Sequence, residues 1–196
     1  MKLSSPADSG GTVFLVGFMG AGKTSVGRAL GQRLNWVFED LDDRIERREG
    51  RTVAEIFRES GESAFREAEN SALRQVLDEA ESRVARIVAL GGGAFVQSRN
   101  AALLRASGLP VVFLDAPVGE LWQRCRTQAH AAGAERPLLK SEEEFRQLYN
   151  TRRPHYSQAS RKIETGGRTV DAIAREIADA LGLKEVEMRS EQGESE

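Results

Sequence analysis

Cysteine is almost absent from this chain of 196 residues, in which Cys125 stands alone. One thiol cannot close an internal disulfide or build a cysteine-cluster metal site, and its scarcity fits a reducing compartment. Long apolar runs are missing too. None approaches the roughly 18 residues that cross a bilayer, and Met1-Lys2-Leu3-Ser4-Ser5-Pro6 has no apolar core of a signal peptide. A net charge of −2 exerts no general pull on nucleic acid or an acidic membrane. Lysine is scarce, five among 28 basic residues, and one of the five is Lys23. The arginines that fill the remainder suit forked recognition of phosphate and carboxylate, although genome base composition explains such a bias equally well. The expectation is a soluble cytoplasmic protein with neither nucleic acid nor a membrane as partner.

What is present is concentrated in Gly17-Phe18-Met19-Gly20-Ala21-Gly22-Lys23-Thr24, which fits the phosphate-loop pattern G-x-x-x-x-G-K-[ST]. Thr12–Val16 before it reads as a buried strand. Ser25–Leu34 after it reads as a helix with Val26, Ala29, Leu30 and Leu34 on one face. A strand running through glycines into a helix N-terminus turns successive N–H groups towards one point, where an anion also meets the positive end of the helix dipole. Gly20, Ala21, Gly22, Lys23, Thr24 and Ser25 are therefore expected to bind the phosphates of ATP. Lys23 would reach the β- and γ-phosphates and the Thr24 hydroxyl would ligate Mg²⁺. The alternative is a glycine turn carrying a surface lysine.

Strand-like runs at Val13–Val16, Val37–Phe38, Ile87–Leu90, Val111–Leu114 and around Ile163 alternate with helical patterns. Those patterns cover Ser25–Leu34, Asp42–Glu49, Glu62–Glu81, Asn100–Ser107, Val118–Thr127, Ser141–Asn150 and Val170–Leu181. Such alternation predicts a parallel α/β sheet with helices on both faces. One domain over residues 11–183 is expected, between a loose tail at 1–10 and a charged, disordered tail at 184–196. Ser141-Glu142-Glu143-Glu144 reads as a capping box, with Pro154 following the helix it opens. The Ala- and Gly-rich segment 126–140 reads as either a mobile lid or an idle loop.

A phosphate loop does not name a reaction. No Asn-Lys-x-Asp guanine signature is present, which argues against a GTPase. Asp40 and Asp42 follow the second strand. Read as an extended chain they point the same way, one towards Mg²⁺ and the other towards an acceptor hydroxyl. Read blandly, they open a helix and favour its dipole. Asp115, ending a hydrophobic strand, is a second candidate for the metal, ranked behind Asp40 because Ala116-Pro117 turns the chain away. Gly91, Gly92 and Gly93 end a buried strand and permit close approach of a ligand to backbone, or simply make a tight turn. Arg66, with Glu62 four residues before it and Glu69 three after, reads by default as a surface ion-pair residue. Arg152 and Arg153 read as a basic pair at a helix C-terminus.

Taken together these pieces resemble the shikimate kinase family. The resemblance covers about Thr12 to Leu181. It rests on the phosphate loop, Phe38-Glu39-Asp40-Leu41-Asp42, Phe65-Arg66-Glu67, Ala89-Leu90-Gly91-Gly92-Gly93-Ala94, Arg136-Pro137-Leu138-Leu139 and Arg152-Arg153-Pro154-His155-Tyr156, in that order. It implies a three-layer α/β/α phosphate-loop kinase fold with a five-stranded parallel sheet of order 2-3-1-4-5, a lid at 126–140, and a monomer. It implies transfer from ATP, with Mg²⁺, to the 3-hydroxyl of shikimate. Asp42 would hold the acceptor hydroxyls and act as base, and Arg66 and Arg152 would hold the carboxylate. Gly91, Gly92 and Gly93 would present backbone to the substrate. Arg136 would descend with the lid beside Lys23, Asp40 would bind Mg²⁺ beside Thr24, and Arg124 and Arg168 would flank the nucleotide base. A gluconate kinase would share the loop and size. A catalytically silent relative, the other rival reading, would be expected to lose an acceptor-side residue.

Overall fold

The structure, a computed structural model, describes residues 11–80, 84–132 and 141–184, the side chains of 129–132 left aside. The N-terminal tail 1–10, residues 133–140 of the expected lid with Arg136, and residues 185–196 of the charged tail lie outside the described residues. Strands β1 (Thr12–Val16), β3 (Arg86–Ala89) and β4 (Val111–Asp115) are buried throughout their length. Apolar runs of this kind, broken only at their ends by Thr12, Arg86 and Asp115, suit strands covered on both faces. They form the centre of a five-stranded sheet of order β2-β3-β1-β4-β5, in which every pairing is parallel, with β2 (Val37–Asp40) and β5 (Arg161–Glu164) at the edges. The expected strand order holds.

The sheet carries its functional ends on one side because all five strands run in the same direction. Beyond them lie the phosphate loop after β1, Asp40 at the end of β2, the glycines after β3, and Asp115 ending β4. This is the end at which open parallel sheets bind ligands. Helix α1 (Lys23–Leu34) leaves the phosphate loop and α2 (Leu41–Glu49) leaves β2. Among the described residues the remaining helices are α3 (Val53–Glu79), α4 (Ser98–Ser107), α5 (Val118–Ala132), α6 (Glu142–Tyr156) and α7 (Val170–Leu181).

Three helices differ from expectation, each for a local reason. Helix α3 starts well before Glu62, because Thr52 and Glu55 form a reciprocal capping box. The Thr52 hydroxyl accepts from the Glu55 N–H at 3.2 Å, and Glu55 accepts from the Thr52 N–H at 2.7 Å. Gly61, at φ 79°, kinks the helix between its two parts, and that break is what the periodicity registered as a start. Helix α5 continues past Thr127 to Ala132, taking in the first half of the segment read as a lid. Its alanines have the highest helix propensity of any residue, which outweighs their loop-like simplicity. Helix α6 runs on through Pro154 to Tyr156. Pro154 removes a donor only from the carbonyl of Asn150, an exposed residue whose oxygen water can serve. The expected cap at Ser141 is present, accepting from the Glu144 N–H at 3.1 Å.

Candidate active site

The phosphate loop is shaped by what packs behind it. A Cβ on Gly17 would stand 2.6 Å from the Leu114 carbonyl oxygen, and one on Gly20 would stand 2.7 Å from that of Leu121 and 2.9 Å from Cys125 Sγ. Only glycine lets the loop lie this close to β4 and α5. Gly22 caps α1 in the left-handed region without a side-chain acceptor, which leaves first-turn N–H groups for an anion. Lys23 Nζ donates to the carbonyls of Gly17 (2.9 Å) and Phe18 (3.2 Å), spanning the loop from within. Burial pushes its pKa down, against the pull of Asp40 and Asp42. Ser25 is exposed at the mouth of the loop.

Asp40 is the last residue of β2 and the N-cap of α2, its carboxylate accepting from the Asp42 N–H at 3.1 Å. Its other oxygen accepts from Thr24 Oγ1 at 3.2 Å, so the two oxygens expected near a metal are adjacent. Burial raises its pKa, opposed by these bonds. The extended-chain picture of the Asp40–Asp42 pair needs correction, because Asp42 lies in the first turn of α2. The two carboxylates come near through a helix cap rather than through strand alternation. Burial, then the charge of Asp40, pushes Asp42 up to about 6 despite the opposing attraction of Lys23. Its Oδ1 is buried and has no hydrogen-bond partner among the described residues.

The three glycines after β3 act as absences that other side chains fill. A Cβ on Gly91 would lie 2.8 Å from Asp42 Oδ1, and one on Gly93 would lie 2.7 Å from Arg66 Nη1. One on Gly92 would come within 3.9 Å of Arg152 Nη1. A single turn thus gathers a carboxylate from α2, a guanidinium from α3 and another from α6. The turn is held from behind by Asn100, which donates to the Ala94 carbonyl at 3.1 Å and accepts from Asn70 at 2.7 Å.

Arg66 combines both readings of it. It pairs with Glu62 (3.1 Å) and with buried Glu69 (3.1 Å), yet its guanidinium also faces Gly93. The neighbouring arginines of α6 divide. Arg152 Nη1 lies 3.5 Å from the Gly92 carbonyl oxygen, whereas Arg153 donates to Asp115 at 2.8 Å and 3.1 Å. They are not one basic pair. Asp115 is further satisfied by Tyr149 (3.0 Å) and Lys162 (3.1 Å), so its charge is balanced by two cations of the protein, whereas among the described residues Asp40 bonds only the neutral Asp42 N–H and Thr24 hydroxyl.

Arg124 of α5 links the phosphate loop to the segment after β5, reaching the Thr165 carbonyl at 2.9 Å and the Gly20 carbonyl at 3.5 Å. Arg168 donates to the Glu164 carbonyl at 2.9 Å and pairs with Glu176 of α7. The sequence reading assigned no role to Tyr156, whose hydroxyl donates to the Gly92 carbonyl, or to the Asn70–Asn100 pair under the turn. The spacing of Arg152 and Tyr156, four apart on a helix, is the signal that was available for the first.

An anion cradle on one side of a buried carboxylate, with two arginines on the other, meets what phosphoryl transfer to a small anionic acceptor requires. Fold and site together define a phosphate-loop small-molecule kinase. The shikimate kinase family model matches residues 19–182. The chain is 40% identical over 176 residues to a shikimate kinase of Cereibacter sphaeroides, covering 88% of this chain and 83% of that one. It is 42% identical over 175 residues to one of Moorella thermoacetica, covering 87% and 94%. Among solved structures, a shikimate kinase from Acinetobacter baumannii in complex with shikimate matches with a TM-score of 0.78 at 36% identity, over 91% of this chain and 97% of that one. The chain belongs to the shikimate kinase family. A gluconokinase from Sinorhizobium meliloti, at 19% identity and a TM-score of 0.53, shares the fold alone.

Proposed function

We infer that the chain transfers the γ-phosphoryl group of ATP to the 3-hydroxyl of shikimate, giving shikimate 3-phosphate and ADP on the route to chorismate and the aromatic amino acids. The observation that carries this reading is the glycine turn on which Asp42, Arg66 and Arg152 converge. Two guanidiniums offer forked donors to a carboxylate, and the carboxylate between them and the phosphate loop is free to accept from a hydroxyl. Asp42 takes the proton of the attacking hydroxyl as its oxygen bonds to the γ-phosphorus and the bond to the β,γ-bridging oxygen breaks. Lys23 and the α1 N-terminus stabilise charge on the phosphates, joined by Arg136 from the lid, and Arg124 and Arg168 border the base. The adjacent oxygens of Thr24 and Asp40 fit a hard cation that keeps its remaining positions for phosphate and water. When bound with ATP, Mg²⁺ supplies positive charge at the β- and γ-phosphates.

The kinase is proposed to be a single domain over residues 11–183, with a lid at 126–140, working as a cytoplasmic monomer. Among the described residues no helix is long and apolar enough to cross a membrane.

The test is ADP release by the full chain with Mg²⁺-ATP, comparing shikimate, gluconate and no acceptor. Release that depends on shikimate is expected. Release with gluconate alone would overturn the acceptor, and silence with both would favour a non-catalytic relative.

Arg66→Ala is expected to raise the shikimate KM about 10- to 100-fold, matching the ~1.5–3 kcal/mol of a charge-assisted bond, with the ATP KM little changed. Because Glu69 would lose its counter-charge, the comparison is made in a Glu69→Gln background. An unchanged shikimate KM would return Arg66 to its ion pairs with Glu62 and Glu69.

A further inference from the structure

Helix α6 is fastened across the end of the sheet by two pairs of side chains, each pair four residues apart. Tyr149 and Arg153 converge on the Asp115 carboxylate. Tyr149 Oη donates to Oδ1 at 3.0 Å, and Arg153 donates to Oδ2 through Nε at 3.1 Å and Nη2 at 2.8 Å. Arg152 and Tyr156 converge on the Gly92 carbonyl, with Nη1 at 3.5 Å and the tyrosine hydroxyl donating to the same oxygen. Residues four apart share a helix face, and consecutive residues are turned by about 100°. The two pairs are therefore neighbouring rows of one helix, each with its own anchor.

The anchors stand on opposite sides of the phosphate loop. Asp115 ends β4 and Gly92 follows β3, while β1 lies between them. Two strand spacings separate them, roughly 9–10 Å. Between the anchors the Phe18 ring of the phosphate loop meets the α6 rings of Phe145 and Tyr149 edge-on, at 5.0 and 5.5 Å. A helix held at two points this far apart has both its tilt and its rotation defined. With only one anchor it can turn. At the ~5–6 Å radius of a helix with its side chains, a turn of about 10° moves a side-chain tip by ~1 Å. Misplacement on that scale is enough to cost binding or rate.

We propose that Asp115 is a positioning residue, which by holding Tyr149 and Arg153 sets the rotation of α6 and so aims Arg152 at the glycine turn where the acceptor carboxylate is bound. This rests on the reading of Arg152 as a carboxylate-binding arginine. Asp115 is suited to the task because its side chain is only 4% exposed and Lys162 of β5 also reaches its Oδ2, at 3.1 Å. Burial raises its pKa, but the bonds from Arg153, Lys162 and Tyr149 outweigh that and leave it below the usual value. It stays ionised, and it keeps hold of Arg153, throughout the neutral range.

The test is Asp115→Asn, which retains the size of the side chain and an acceptor for Tyr149 but removes the charge that holds Arg153. The shikimate KM is expected to rise about tenfold, as loss of one charge-assisted contact gives, with the ATP KM within about twofold. In an Arg152→Ala background the same change is expected to add nothing, because residues acting through one contact are non-additive. A full multiplicative rise in that background, or a parallel rise in both KM values with a falling Tm, would overturn the proposal. The arginine Nε–Hε resonance of Arg152, assigned by its loss in Arg152→Lys, supplies a readout that needs no acceptor. Its order is expected to fall in Asp115→Asn, and unchanged order would overturn the proposal whatever the substrate. Absence of shikimate-dependent ADP release by the unmodified chain would overturn the functional reading alone, leaving this resonance to decide the role of Asp115.

Discussion

Asp42→Asn is expected to lower kcat about 100- to 10,000-fold, the range for loss of a general base, while ATP binding is unchanged. Asparagine has nearly the shape of aspartate, so the first turn of α2 and the contact with Gly91 survive, but it cannot take the acceptor's proton. In the unmodified protein kcat/KM for the acceptor is expected to fall about tenfold per pH unit below an apparent pKa near 6, following the raised pKa of Asp42. Weak ATP binding by the variant would mean that Asp42 serves the nucleotide instead. The same substitution carries a second expectation of opposite sign. A carboxyl whose folded pKa lies above its unfolded value stabilises the fold below pH 4, and loses that contribution as pH rises through about 6. At pH 7 its ionised form is thus a net cost, at most about 3 kcal/mol for a shift of this size. Asp42→Asn removes it, so the Tm at pH 7 is expected to rise as activity disappears. A fall in Tm would show that the buried Oδ1 is not the orphan that the geometry describes.

Lys23→Ala is expected to lower kcat/KM about 100- to 1,000-fold, the cost of removing one preorganised donor from developing phosphoryl charge. Nζ now bonds the carbonyls of Gly17 and Phe18, so the ammonium is held inside the loop before any phosphate arrives and need only exchange those partners. Near-normal turnover by the variant would sink the phosphate-loop assignment. Measuring Tm alongside separates this loss from damage to the loop, whose two carbonyls lose their donor.

The features legible without coordinates are those in which every participant lies within a few residues of the others. The glycines, lysine and threonine between β1 and α1 form one turn, and their pattern announced an anion site. Three consecutive glycines after β3 announced a place where something approaches closely. Apolar runs alternating with helical periods implied a parallel sheet, because continuously buried strands need helices on both faces. Local reading failed where two local preferences competed. The alanines of 129–132 looked like loop and are helix, and the Thr52 capping box was passed over because Gly61 interrupts the helix it starts.

Side-chain roles could not be settled that way, because they depend on which strand lies beside which. Arg152 and Arg153 are chemically identical neighbours. One faces Gly92 and the other Asp115 only because β1 and its phosphate loop separate those two strand ends and α6 reaches both. Asp115 looked like a metal ligand at the end of a hydrophobic strand, and is occupied because α6 and β5 bring Arg153, Tyr149 and Lys162 onto it. Arg66 looked like half of a surface ion pair, and is that as well as a guanidinium aimed at Gly93, since α3 packs against α2 and α4 beside the glycine turn that follows β3. What the sequence determined by itself was the chemistry available, a phosphate cradle with carboxylates and arginines. The tertiary structure decided which of those groups share one point in space, since contacts between residues tens of positions apart are set by the order of strands and the packing of helices over them.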